Sequence, residues 1–306
     1  MAAALLVSLA AGSPAFAQAP AAQPVLPATD VPPAAWEKPM PISFDVEYTA
    51  VSDYVWRGIN LSEYPGEGRE ALNHQLSVGT EADLGRFGAV GVNVWFEWYA
   101  DQSRLTPEYG RNIQEVDYTL YYTYTAEPIA TTFETGWLAY TLPPIGGDAH
   151  TTYELYVKLS FDDSKLFGTE EPILNPYVYY GIDVDLGRYG SWIELGVSHD
   201  FELADCGCGD VPILKHTTVT PSVVLGIDHR FLDKVAVEGE GTEGPATRLA
   251  NIVYGLEANV DMSAVLGIPE QFGSVSLGTF LNYSQAFRDD LLDDELWGGV
   301  KLGWSW

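Results

Sequence analysis

Basic residues are scarce in this chain: 15 Lys and Arg stand against 43 Asp and Glu, a formal charge of -28. That imbalance excludes nucleic acid as a partner, and any anionic membrane surface bound through charge. Cysteine is nearly missing, with 2 residues, so no disulfide framework holds the fold. Past the N-terminus no segment approaches the ~18 consecutive apolar residues that a spanning helix needs. GxGxxG, P-loop, HExxH and CxxCH patterns are missing as well, and no cofactor is expected. Aromatics, by contrast, make up 13% of the chain, with 18 Tyr and 9 Trp, too many for a disordered acidic polymer.

The chain opens "MAAALLVSLAAGSPAFAQ", a short apolar run that ends in Ala15-Phe16-Ala17, a small-x-small cleavage pattern. Residues 1–17 are therefore read as a signal peptide, although no Lys or Arg precedes the run. Residues 18–41, rich in Pro and Ala without periodicity, read as an extended periplasmic tail. From Ile42 to Trp306 the pattern has period two, the mark of β-strands with two unlike faces. In the first strand Phe44, Val46, Tyr48, Ala50, Tyr54 and Trp56 share one face, and Asp45, Glu47, Thr49, Asp53 and Arg57 the other. Later strands are predicted near 75–83, 90–99, 115–124, 130–142, 152–162, 174–185, 191–202, 217–231, 249–262, 273–286 and 295–306.

These are about twelve strands, each near the ~10 residues that cross a bilayer when tilted. An even number puts both chain ends on one side. "DLGRFG" (Asp83 to Gly88) and "TAEPIA" (Thr125 to Ala130) read as tight periplasmic turns. Gly58 to Leu72, Asp101 to Arg111 and Leu232 to Thr247 read as longer outer loops. Two links fit this parity poorly: "DLGRYG" (Asp185 to Gly190) repeats the tight turn yet falls outside, and the link around Asp205 to Val211 is long for the inside.

A secreted β-sandwich alternates in the same way. Three features favour the membrane. The apolar faces gather Tyr and Trp near strand ends, where interface girdles belong. The polar faces are acidic along mid-strand. The chain closes on "LWGGVKLGWSW", with Leu296, Val300, Leu302, Trp304 and Trp306 in alternation. Leu302, Trp304 and Trp306 are thus read as the signal that outer-membrane assembly machinery engages. The expected fold class is all-β: a transmembrane antiparallel up-and-down β-barrel over residues 42–306, in the outer membrane of a Gram-negative bacterium. Outer-membrane lipid and lipopolysaccharide are its expected surroundings.

The stretch "SDYVWRGINLS", Ser52 to Ser62, resembles the "SDYVFRGxS" opening of the TorF-type porin family. "GWLAYTLPP", "YELYVKLSF" and "SWIELGVSHDF" resemble later strands of that family, though only the opening is specific. The resemblance implies an outer-membrane location and a pore. It brings no substrate and no catalytic residues.

If apolar faces meet lipid, polar faces line a lumen. The lumen and selectivity candidates are Asp45, Glu47, Asp53, Arg57, Glu81, Glu97, Glu115, Asp117, Glu134, Glu154, Lys158, Asp183, Glu194, Asp228, Arg230, Glu257 and Lys301. Asp83, Asp162, Asp185, Asp200 and Asp261 follow the same register. So many carboxylates stay ionised only in a wet interior. The expectation is a porin-like channel that passes small cationic or neutral solutes, since rings of Asp and Glu gather cations. The alternative is a non-conducting structural or ligand-binding barrel, packed with Tyr99, Tyr121, Tyr177, Tyr179 and Trp297. In the first strand Tyr54 and Trp56 are expected to face lipid, and Arg57 to face the lumen and pair with a carboxylate such as Glu81.

Catalysis is not expected. His199 falls on the outward register, as in the outer-membrane phospholipase, but no outward Ser with an orienting partner accompanies it. Asp289-Asp290 and Asp293-Asp294-Glu295 look like a solvated loop able to bind Ca2+ weakly. "DCGCGD" (Asp205 to Asp210) lacks the further ligands zinc needs; it ties a turn or closes a strained disulfide.

Overall fold

A sheet with one apolar and one polar face satisfies both only if each face meets its own solvent and no edge is left open. The computed structural model describes residues 42–62, 72–100, 115–142, 150–185, 189–209, 211–232, 246–289 and 291–306. The signal peptide and tail read over 1–41 lie outside the described residues, as does most of the loops read at 101–111 and 232–247.

Twelve long antiparallel strands form one sheet. They are β1 (Ile42–Val51), β2 (Asn73–Asp83), β3 (Ala89–Tyr99), β4 (Glu115–Ala126), β5 (Thr131–Leu142) and β6 (His150–Phe161). Then come β7 (Tyr177–Asp183), β8 (Ser191–Ser198), β9 (Thr217–His229), β10 (Thr247–Asp261), β11 (Ser274–Ala286) and β12 (Glu295–Ser305). Each pairs with its neighbour in sequence, and a two-residue strand, Phe201–Glu202, extends the edge of β9. β12 returns to β1 from Asp45↔Ser305 to Val51↔Gly299. Phe44 and Trp306 exchange backbone hydrogen bonds of 2.7 and 2.8 Å beyond that ladder. The sheet is therefore a closed up-and-down barrel, in which the first and last strands satisfy each other.

Outside, the strands present Val78, Val92, Leu120, Leu155, Val157, Leu195, Leu277, Val300 and Leu302, all exposed. An apolar band that encircles a closed sheet is satisfied by lipid and not by water. Aromatics rim it. Phe44, Tyr124, Phe133, Phe161 and Trp304 lie toward the chain ends, and Tyr118, Tyr153, Tyr254 and Tyr283 toward the opposite end. Two stacked pairs reinforce the outer face, Trp137 on Tyr153 at 5.7 Å and Tyr254 on Tyr283 at 6.4 Å. Bacterial barrels keep their chain ends and shorter turns in the periplasm, which orients the molecule.

Both links that troubled the parity find their place. "DLGRFG" joins β2 to β3 at the periplasmic end, while Asp185 to Gly190 falls in the outer link between β7 and β8. The long periplasmic link 203–216 folds into helical turns over Ala204–Cys208 and Leu214–His216. Two other periplasmic links carry short helices, α1 (Ser164–Phe167) and α2 (Met262–Leu266).

The first strand is shorter than its pattern implies. β1 stops at Val51, where Ser52 N–H donates to Gly298 O at 2.8 Å and Gly298 N–H to Ser52 Oγ at 3.1 Å. From there the chain turns into the barrel.

Candidate functional site: a wet vestibule beneath an inward-folded segment

The inner faces divide into two levels. Toward the periplasm Asp45 and Glu47 on β1, Glu81 on β2, Glu134 on β5, Glu194 on β8 and Glu257 on β10 are partly exposed. Lys158 on β6 and Lys301 on β12 are the cations among them. Lys301 Nζ lies 3.1 Å from Glu257 and 5.3 Å from the Phe280 ring, and Lys158 Nζ lies 5.0 Å from the Tyr177 ring. Tyrosine hydroxyls donate to the carboxylates: Tyr156 to Glu134 at 2.9 Å and Tyr177 to Glu194 at 3.3 Å. The Lys301 ammonium thus sits between a carboxylate and an aromatic face, and the Lys158 ammonium lies against a ring.

Toward the outside the interior is packed. Residues 53–62 descend between the walls as a small hairpin, Val55–Trp56 against Ile59–Asn60. Arg57 and Gly58 form its two-residue turn, with φ of 52° and 85°. Such mirror-image turns need positive φ at both positions, which glycine tolerates and arginine adopts at some cost. Tyr54 N–H donates to Ser62 Oγ at 2.6 Å, Leu61 N–H to Tyr54 O at 2.7 Å, and Asn73 Nδ2 also donates to Ser62 Oγ. Gly58 sits tightly: a Cβ there would lie 3.0 Å from Leu292 and 3.1 Å from Asn251, and those side chains would have to shift.

Tyr54, Trp56 and Arg57 are 3%, 1% and 2% exposed, inside the barrel. They pack with Trp95, Leu138, Tyr140, Tyr156, Tyr179, Trp192, Phe231, Leu232 and Leu292. The expectation that Tyr54 and Trp56 face lipid is thus overturned. β1 ends before them, so its outward register does not continue. Val55 meets the opposite wall at Val51 and Trp297.

Arg57 does not pair with Glu81. Its Nη2 donates to both oxygens of Glu154 on β6, at 2.9 and 2.8 Å, and both side chains are fully shielded from water. Glu154 also accepts from Tyr140 at 3.4 Å and from Tyr179. Around the guanidinium stand the rings of Trp56, Trp192 and Phe231, at 5.1, 5.5 and 4.5 Å. Arg57 Nε and Nη1 have no hydrogen-bond acceptor among the described residues.

The remaining candidates separate along the same line. Glu97, Glu115 and Asp117 are buried on β3 and β4, with Glu97 directly opposite Glu115 and Asp117 accepting from Thr141 N–H at 3.2 Å. Asp183 accepts from Thr152 at 2.6 Å. Asp228 is spent on Phe231 N–H, Leu232 N–H and Arg288, at 2.7, 3.0 and 2.9 Å. Asp53 is buried within the inward segment. Arg230, expected in the lumen, is instead exposed at the outer rim just past β9, at φ 58°. Asp83 and Asp261 are exposed at the last positions of β2 and β10, and Asp162, Asp185 and Asp200 are exposed in links past their strands. Leu302 and Trp304 face outward on β12, with the exposed Trp306 just beyond it.

Pattern reading missed the cage around Arg57 and the buried cation Arg288. Only the Arg57-Gly58 dipeptide, a turn signal, could have located the first; nothing local marks the second. In the acidic outer loop Asp294 is committed to Tyr283 OH at 2.7 Å and to Ala286 N–H at 2.8 Å. Asp290 lies outside the described residues. Cys206 is a free, exposed thiol, and the side chain of Cys208 lies outside what the structure describes.

A closed even-stranded barrel with a lipid-facing apolar band and a polar interior is an outer-membrane β-barrel. No family model matches the chain, and no curated protein does. Solved structures similar to it are outer-membrane barrels. An outer-membrane channel from Pseudomonas putida is 9% identical with a TM-score of 0.47, over 90% of this chain and all of that one. The NanC porin is 12% identical with a TM-score of 0.42, over 86% of this chain and 98% of that one. The KdgM porin is 9% identical with a TM-score of 0.41, over the same shares. At these identities the likeness is one of fold alone.

Proposed function

We propose that the chain is a porin-like channel of the Gram-negative outer membrane, for passive diffusion of small cationic and neutral solutes. One observation carries the reading. Six water-touching carboxylates line the periplasmic half of the interior, Asp45, Glu47, Glu81, Glu134, Glu194 and Glu257, against two cations, Lys158 and Lys301. Ionised side chains at that density are stable only in a water-filled space, and they concentrate cations in it. Leu302, Trp304 and Trp306 support the reading of β12 as the segment that outer-membrane assembly machinery engages.

A second reading, a non-conducting barrel, is favoured by the packed cluster around Trp56, which narrows the outer half. Single-channel recording under a salt gradient separates the two. The channel reading expects conductance with a cation-selective reversal potential. It also expects that selectivity to fall when Glu47, Glu81 and Glu134 are all changed to Gln. Anion preference, or no conductance from correctly assembled protein, overturns it.

A further inference from the structure

The inward segment carries a guanidinium into a site that the barrel wall builds by itself. Glu154 supplies two acceptor oxygens, Tyr140 and Tyr179 orient that carboxylate, and Trp192 supplies a ring face. These four residues come from β5, β6, β7 and β8, so their backbone is held by the barrel ladder and not by residues 53–62. A carboxylate with both oxygens turned to one terminal N–H group, beside aromatic faces on which a flat cation can stack, suits a guanidinium. Phe231, the nearest ring at 4.5 Å, is itself held by Asp228 through its backbone N–H.

We infer that this wall site is a receptor for small monosubstituted guanidinium solutes, and that Arg57 is its built-in occupant. The inference rests on the channel reading for its consequence, though not for the binding itself. A guanidinium solute in the channel competes with Arg57 for Glu154, and each displacement frees the hairpin from the lumen. The pair gives this competition a single point of attack, since Nη2 makes both bonds to Glu154 while Nε and Nη1 have no acceptor among the described residues. The vestibule supplies the approach: there Lys301 already rests between a carboxylate and a ring, and Lys158 against a ring.

The test uses methylguanidinium chloride, the head of an arginine side chain, with sodium chloride as the control ion. In planar bilayers methylguanidinium should raise the open fraction of the wild-type channel several-fold at a concentration where sodium does not. In Arg57→Ala, whose site is vacant, it should instead reduce the current, and Glu154→Gln added to that variant should abolish the effect. Equal responses to the two salts overturn the inference and leave the channel reading standing. If Arg57→Ala does not assemble, Arg57→Lys replaces it. One ammonium holds Glu154 less well than a guanidinium, so opening should need several-fold less methylguanidinium, and an unchanged midpoint refutes the competition. If no variant conducts, the channel reading falls, and binding is read from heat stability in detergent. Methylguanidinium should then raise the unfolding temperature of Arg57→Ala but not of Arg57→Ala/Glu154→Gln; no difference between them overturns the site.

Discussion

Glu154→Gln keeps the shape of the side chain and removes its charge. In the folded barrel that leaves Arg57, fully shielded and bonded among the described residues to Glu154, as an uncompensated buried cation. Breaking a buried pair by removing one partner costs about 3–5 kcal/mol. The barrel need not bear this cost, because its strands are held by their own ladder. The hairpin can withdraw instead and return Arg57 to water. The perturbation should therefore appear as release of residues 53–62 rather than as unfolding. At tenfold per 1.4 kcal/mol, the released population rises by about 100- to 4,000-fold. Trypsin reports it directly, since cleavage after Arg57 requires the segment to leave the barrel, and slow cleavage tracks the open population. The measurement is the rate at which a new N-terminus at Gly58 appears, followed by mass mapping on intact barrels. Arg57→Met/Glu154→Leu serves as the control, read with chymotrypsin at Tyr54 and Trp56 because the trypsin site is gone. Apolar replacement of a whole buried pair is often neutral, and the segment should stay docked by Tyr54, Val55 and residue 57 itself. A Glu154→Gln barrel that released its segment no more than about threefold faster would refute the view that this one pair holds the hairpin.

Three further outcomes follow from particular contacts. Gly136→Ala should destabilise the barrel by about 1–3 kcal/mol in denaturant titrations, because a Cβ there would meet Leu120 O at 2.6 Å and the Tyr156 ring at 2.6 Å. Removal of Trp306 should slow refolding into vesicles, since it deletes both Phe44 bonds and the Trp306 Nε1–H donation to Gln271 O at 3.1 Å, all at the seam of closure. Asp162, in the periplasmic link, is held below the usual carboxylate range by bonds from the Ser164 hydroxyl and N–H, the latter at 2.9 Å. A depressed folded-state value means stabilisation that is complete at neutral pH and lost as pH falls through that value. Wild type should therefore exceed Asp162→Asn in thermal stability by a constant margin near neutrality, and the margin should close only below about pH 4. A margin that changes between pH 5 and 8 would contradict it.

Much of the architecture was legible in the chain because a lipid-facing strand has one unambiguous demand, an apolar residue at every second position. That demand marks where β2 to β12 run, and the alternation of Val300, Leu302 and Trp304 marks which side of β12 meets lipid. It also makes the inner acidic residues readable as a set, from Asp45 to Glu257. Glu97, Glu115 and Asp117 share that pattern with Glu47 and Glu81, yet they are buried while the latter touch water. Alternation reports the face of a strand and carries no information about the depth along the barrel at which another segment covers it.

The opening stretch marks the same boundary more sharply. Its period-two pattern continues through Tyr54 and Trp56 as if β1 did, because a hairpin strand alternates as a barrel strand does. The local code held one warning, the Arg57-Gly58 turn. The inward direction was decided by tertiary partners far away in the chain: Glu154 for the guanidinium, Trp95 and Tyr140 for the rings, Leu292 and Asn251 against Gly58. A closed membrane barrel with an acidic interior could be read along the chain, since solvent preference is written residue by residue. Only the tertiary structure decided that the outer half is filled by the chain's own first loop, because a buried charge settles where its partner is, and that partner lies 97 residues away.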